Sequence, residues 1–211
     1  MHKARLLAAA AMLWMAGFAG AGVYEDMLHA VNSDDERTVA QLLQRGMDVN
    51  TVDAGGDSLL MLAARRGKPE MLKTILDAHP RVNARNAHGE TALMLAAFTG
   101  QTEAVRILLA QGAEFNHPGW NPLIYAATRD RLDIARILIA RGAQVNAQAE
   151  NGTNSLMMAA REGHLQMVLL LLEYGAEINY KTPSGRSALG FAKEFGHREV
   201  AQTLIRAGAV D

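Results

Sequence analysis

No cysteine occurs among the 211 residues. That excludes disulfides, thiolate metal sites, a cysteine nucleophile and a lipid anchor on cysteine. Aromatic residues make up only 5% of the chain, so alanine and leucine must fill the core, which suits thin helices packed closely. Charge of one sign is missing too. The formal net charge is −1, and this balance points to no polyanionic partner. Catalytic signatures are absent as well: there is no Gly-x-Ser-x-Gly elbow, no His-Glu-x-x-His pair and no phosphate-cradling glycine loop. The expectation is a protein that is not an enzyme and holds no cofactor or metal.

The first residues form a separate object. Lys3 and Arg5 make a short basic start, and no charge follows from Leu6 to Tyr24. The triplet Ala19-Gly20-Ala21 satisfies the small-x-small rule of a signal-peptidase site. The pattern predicts a signal peptide over 1–21, cleaved after Ala21, and a mature domain over 22–211. A membrane association is expected only if this segment stays uncleaved, and its Ala/Gly content makes it a weak anchor. Removing Lys3 and Arg5 from the 21 basic residues leaves 19 against 22 acidic, a mature charge of −3. Export without cysteine fits a bacterial periplasm, or secretion beyond it.

What the chain does have is a period. Asn50, Asn83, Asn116, Asn146 and Asn179 recur at steps of 33, 33, 30 and 33 residues. Such a period is the mark of stacked-repeat architectures. Gly-Ala or a relative precedes four of the five asparagines (Gly46-Met47, Gly112-Ala113, Gly142-Ala143, Gly175-Ala176), with a further copy at Gly208-Ala209. A small polar residue opens each helical stretch (Ser58, Thr91, Asn121, Asn154, Ser187), and an alanine pair follows at 63–64, 96–97, 126–127 and 159–160.

One repeat can be read physically. Thr91 is placed to cap a helix over Ala92–Thr99, its hydroxyl accepting a first-turn N–H. Gly100 ends that helix in the left-handed region. A second helix is predicted over Glu103–Gln111, with Val105, Leu108 and Leu109 on its apolar face, and Gly112 stops it. Asp34 and Asp130 replace the inter-helix glycine in two units and tolerate the same backbone region. Pro69 and Pro122 fall in first turns, where no N–H is needed. Asp34-Asp35-Glu36 reads as a helix cap, and Asn151-Gly152-Thr153 as a loop-tip turn. Helices this short cannot stand alone in water, so neighbouring units must bury their faces.

With these landmarks in phase, the chain resembles ankyrin-repeat proteins from Val23 to Asp211. The resemblance implies an all-α repeat solenoid of stacked helix-turn-helix units with projecting β-hairpin-like loops. Its units would be 23–50 (an N-terminal cap), 51–83, 84–116, 117–146, 147–179 and 180–211 (a C-terminal cap). Two departures stand out. The usual signature histidine is Met61, Met94, Ile124, Met157 and Gly190, so methionine packing is expected to substitute. The fourth unit is three residues short, so one projecting loop should be blunted. His164 and His197, spaced by 33, are read as structural residues at second-helix starts and not as metal ligands.

The resemblance also implies a function. Ankyrin proteins usually bind protein partners on a concave surface made of loop tips and first-helix ends. Here that surface would carry Arg65, Arg66, Arg85, His88, Phe98, Trp120, Arg129, Arg161 and Phe195, with Asp57 and Glu150 among the nearby loop positions. Tryptophan and arginine are common interface hot spots. The leading expectation is a monomeric, non-enzymatic, periplasmic module that binds, stabilises or inhibits a partner protein. The alternative is a secreted effector that binds a host protein. Nucleic acid is not expected, given export and an acidic mature chain.

Overall fold

In the computed structural model, residues 22–210 are described. The predicted signal segment, 1–21, lies outside them. The described residues form helix α1 (described over 22–33) and then a regular series. It runs α2 (Glu36–Gln44), α3 (Leu59–Arg66), α4 (Pro69–Leu76), α5 (Ala92–Thr99), α6 (Thr102–Ala110), α7 (Pro122–Thr128), α8 (Leu132–Ala140), α9 (Ser155–Glu162), α10 (Leu165–Glu173), α11 (Ala188–Glu194) and α12 (Arg198–Arg206). The helix predicted over Glu103–Gln111 begins and ends one residue earlier.

Two rows of helices build the molecule. The first helices α3, α5, α7, α9 and α11 pack each on the next, and α2, α4, α6, α8, α10 and α12 stack behind them. Alanine makes the close approach possible. Ala63, Ala64, Ala96, Ala97, Ala126, Ala127, Ala159, Ala160 and Ala192 are all buried in the core. The result is an all-α solenoid whose loops project as short fingers. Isolated antiparallel bridges close three of these fingers: Val52 with Ser58, Gln148 with Asn154 and Lys181 with Ser187.

The caps follow the chemistry of the sequence. Ser58, Thr91, Asn154 and Ser187 each accept an N–H three residues on, and Asn121 accepts from Leu123 and Ile124. Asp35 caps α2 through Thr38, and these two hydrogen bonds hold its carboxyl below the usual range. Asp34 and Asp130 take the left-handed conformation, with φ of 62° and 53°. Met61 and Met94 do more than fill space: their sulfurs accept the N–H of Ser58 and Thr91 at 3.4 and 3.2 Å, completing a reciprocal cap.

The periodic asparagines tie one unit to the next. The Oδ1 atoms of Asn50, Asn83, Asn116, Asn146 and Asn179 accept the backbone N–H of Arg81, Glu114, Gln144, Glu177 and Val210. The Nδ2 groups of the last four donate to the carbonyls of Gly112, Gly142, Gly175 and Gly208. In the first, Asn50 Nδ2 turns instead to Asp48 Oδ1, and the position matching those glycines is His79, held at φ 53°. The shortened step also has a definite location. Each asparagine lies 8 residues before the next helix cap, except Asn116, which lies 5 before Asn121. The missing residues therefore come wholly from the fourth finger, and the helical framework keeps its length.

In the last unit Lys193, Arg198, Glu199, Gln202 and Arg206 are all exposed, and so are Phe195 and Ile205.

Candidate partner-binding surface

The nine sequence-selected residues separate into three situations. Arg65 and Arg85 are occupied within the fold. The Arg65 guanidinium pairs with Asp57, and Arg85 Nη1 donates to the Gly89 carbonyl of its own finger at 2.8 Å. Arg66 reaches back to Asn32 Oδ1 at 3.0 Å. His88 is exposed on the third finger, where its N–H donates to Asn86 Oδ1.

Phe98, Trp120 and Arg129 come together. Phe98 packs edge-on against Tyr125 with centroids 5.7 Å apart, and Trp120 does the same at 5.5 Å. The Arg129 guanidinium lies over the Phe98 ring, 4.7 Å from its centroid. The order Arg129, Phe98, Tyr125, Trp120 thus runs across the third and fourth units. Trp120 is half-buried on Ile124, Ala149 and Met158. It is neither a free surface residue nor a core residue, a middle case that the sequence left open.

Arg161 and Phe195 form a second pair at 5.2 Å. Phe195 is 46% exposed. Beside them Arg186 stacks on Phe191 and pairs with Glu194.

Tyr125 was not selected from the sequence. It holds the position that Leu62, Leu95, Met158 and Phe191 take in other units, all of them buried. Its hydroxyl donates to Glu90 Oε1 at 2.9 Å. Burial, this hydrogen bond and the charges of Glu90 and Glu150 all push the phenol above its ordinary range. The signal in the sequence was a lone hydroxyl-bearing ring in an otherwise wholly apolar column.

A polar relay supports the same surface from below. Asn86 Nδ2 donates to Asp57 Oδ1 at 2.7 Å and to Glu90 Oε2 at 3.0 Å. Glu90 in turn accepts from Tyr125. Asp57, expected on the partner-facing loops, is only 6% exposed and serves as a strut between the second and third units.

The repeated units that carry this surface are also recognisable as those of a family. A family model described as ankyrin repeats (3 copies) matches residues 27–118, 60–149, 112–182 and 143–211. This chain belongs to the ankyrin-repeat family. No curated protein matches it in a search for sequence relatives. Ankyrin repeats are generally protein–protein interaction modules, and the family is typically non-enzymatic.

The histidines follow the ankyrin plan. His164 Nε2 lies 3.2 Å from the Thr128 carbonyl and His197 Nε2 lies 2.9 Å from that of Arg161. Arg131 and Gln101 make the matching bonds to Phe98 and Arg65. Each links a second helix to the first-helix end of the preceding unit. His117 sets Nδ1 3.1 Å from the Pro118 carbonyl. Among the described residues, no group of three or more His, Asp or Glu is placed to hold a metal, and no helix is long and apolar enough to cross a membrane. One surface depression of about 370 Å³ lies around Gly100 and Asp130–Ile134. It is open, and its lining residue Arg131 bonds the Phe98 carbonyl, behind the aromatic run.

Proposed function

We propose that this ankyrin-repeat chain is a non-enzymatic, monomeric binding module of the periplasm that stabilises, scaffolds or inhibits one partner protein. The observation that carries the reading is the run Arg129, Phe98, Tyr125 and Trp120. In a chain so poor in aromatics, three rings and a guanidinium converge at first-helix ends and a finger, the positions through which ankyrin proteins usually meet partners, and this supports the reading. Rings packed edge-to-face contribute about 0.5–1.5 kcal/mol per pair beyond their buried area. That rigidity lowers the ordering cost of binding. The export half of the proposal rests on the basic start, the uncharged run and Ala19-Gly20-Ala21.

Affinity capture from a bacterial envelope fraction tests the reading, with Trp120→Ala as the paired control. The variant should weaken capture of the partner by about 2 kcal/mol, roughly thirtyfold. Because Trp120 is half-buried, it should also lose about 1–3 kcal/mol of stability, less than a full core truncation. Equal capture by both proteins would remove this surface as the binding site. N-terminal sequencing should find Gly22 first in the periplasmic fraction. Intact Met1 in the membrane pellet would defeat the export claim.

A further inference from the structure

The fingers of this solenoid lean on one another in series, and the series is broken once. A Cβ at Gly56 would meet the backbone of Ala87 at 3.2 Å, one at Gly119 would meet the Glu150 carboxylate, and one at Gly152 would meet Pro183. Each tip is therefore covered by the finger that follows. Gly89, at the tip of the third finger, has nothing within 4 Å. The next finger is the shortened one, and the space it would fill stands open.

The borders of this notch have a definite chemistry. Its floor is the half-buried pair Trp120 and Tyr125. Glu90 stands on one side, bonded only by the neutral groups of Asn86 and Tyr125. Glu150 stands on the other side over Gly119, exposed and with no ion pair to any described residue. Both carboxylates are near enough to raise the Tyr125 phenol electrostatically. Arg85, at the same tip, is engaged on the Gly89 carbonyl and pairs with neither carboxylate, and Arg129 is engaged on Phe98.

We infer that the notch left by the shortened fourth finger takes a basic side chain, arginine in the first instance, carried on an extended segment of the partner protein. Two carboxylates with no ion pair, beside two aromatic rings, are complementary to a guanidinium, which stacks on rings and forks its N–H donors onto carboxylates. Lysine would fit the charge but not the planar stacking. The inference rests on the binding-module reading above and adds the sign of the partner's charge at this point.

The test uses the full-length chain and the peptide acetyl-Gly-Ser-Arg-Ser-Gly-amide, with the arginine replaced by lysine, glutamine or glutamate as controls. The readout is the indole N–H of Trp120 by NMR, assigned with Trp120→Phe. The arginine peptide should give a saturable shift below about 20 mM, the lysine peptide a weaker one, and the glutamine and glutamate peptides none. Glu150→Gln should weaken the arginine peptide by about five- to tenfold. A three-residue insertion after Gly119, restoring a full finger, should abolish the shift.

No saturable shift, or one of equal size with the glutamate peptide, overturns the inference. So does a Trp120 shift that grows with protein concentration alone, since the occupant would then be a second copy. If the peptide fails while the captured partner still depends on Trp120, only the basic-residue inference falls. If capture itself is indifferent to Trp120, the binding-surface reading falls with it.

Discussion

Asn116 and Gly142 are joined across a repeat boundary: the Asn116 side-chain amide donates to the Gly142 carbonyl at 2.8 Å. Its oxygen accepts the N–H of Gln144 at 2.9 Å. One side chain thereby satisfies both a donor and an acceptor of the loop that follows α8.

Replacing that residue separates the two bonds. Asn116→Ala should cost about 1–2 kcal/mol, since it removes both. Asn116→Asp keeps the acceptor and sets a carboxylate against a carbonyl in place of the donor, so it should also destabilise. Urea unfolding of the three proteins would measure this. An alanine variant with an unchanged midpoint would show that the asparagine period has no energetic content.

The glycine column supplies a pair of opposite substitutions. Gly112 sits at φ 79° and a Cβ there would meet no other atom. Gly112→Val should therefore lose about 1–2 kcal/mol through backbone strain alone. At the matching position His79 already bears a side chain at φ 53°. His79→Gly should relieve strain and gain up to about 1 kcal/mol, less the extra freedom of the unfolded chain. A drop in melting temperature for His79→Gly would mean that the imidazole has a stabilising role of its own.

Arginines on this surface should split into two groups. Arg65 neutralises the buried Asp57, so Arg65→Ala should cost about 1–2 kcal/mol by stranding that carboxylate. The exposed outer part of the pair keeps the figure below that of a fully buried bridge. Arg129 touches only the Phe98 face, and Arg129→Ala should cost less than about 1 kcal/mol. The same stability change in both would erase the distinction between strut and binding residue.

Tyr125 makes stability depend on alkaline pH. Its phenol is raised in the fold by burial and by Glu90, whereas the unfolded phenol titrates near pH 10. Above about pH 10 the unfolded chain releases a proton that the folded one retains, so stability is intact below that pH and falls as pH rises beyond it. The half-exposed ring keeps the slope below that of a full proton. Tyr125→Phe should be less stable than the parent at neutral pH by about 1 kcal/mol, with the gap closing as pH climbs. Parallel curves through pH 11 would exclude the hydrogen bond to Glu90.

Much of the architecture was legible because it rests on local rules. Helix caps at Ser58, Thr91 and Asn121 and left-handed Asp34 and Asp130 each follow from one residue and its near neighbours, and the asparagine period from plain repetition along the chain. Phe98, Trp120 and Arg129 could be grouped from the sequence because each ends a first helix or flanks a finger. The relations among them were not legible. Tyr125 looks like one more core position until Glu90, 35 residues away, is seen to hold its hydroxyl. Asp57 looks like a loop acid until Asn86 and Arg65 enclose it. The thioether caps at Met61 and Met94 were missed for another reason: sulfur is a weak acceptor, and methionine at that position reads as packing alone.

The asparagine column also bears on how such a chain can lengthen or shrink. Every link reaches the equivalent atom of the following unit, so excising one whole unit and rejoining the ends would leave each remaining asparagine with a partner. A frame-preserving duplication would do the same. Small insertions inside the helical framework would break the register at once, whereas the fingers can absorb them. The five-residue spacing between Asn116 and Asn121 is one such edit retained. A length change of this kind is thus confined to the finger rim and need not disturb the frame that carries it.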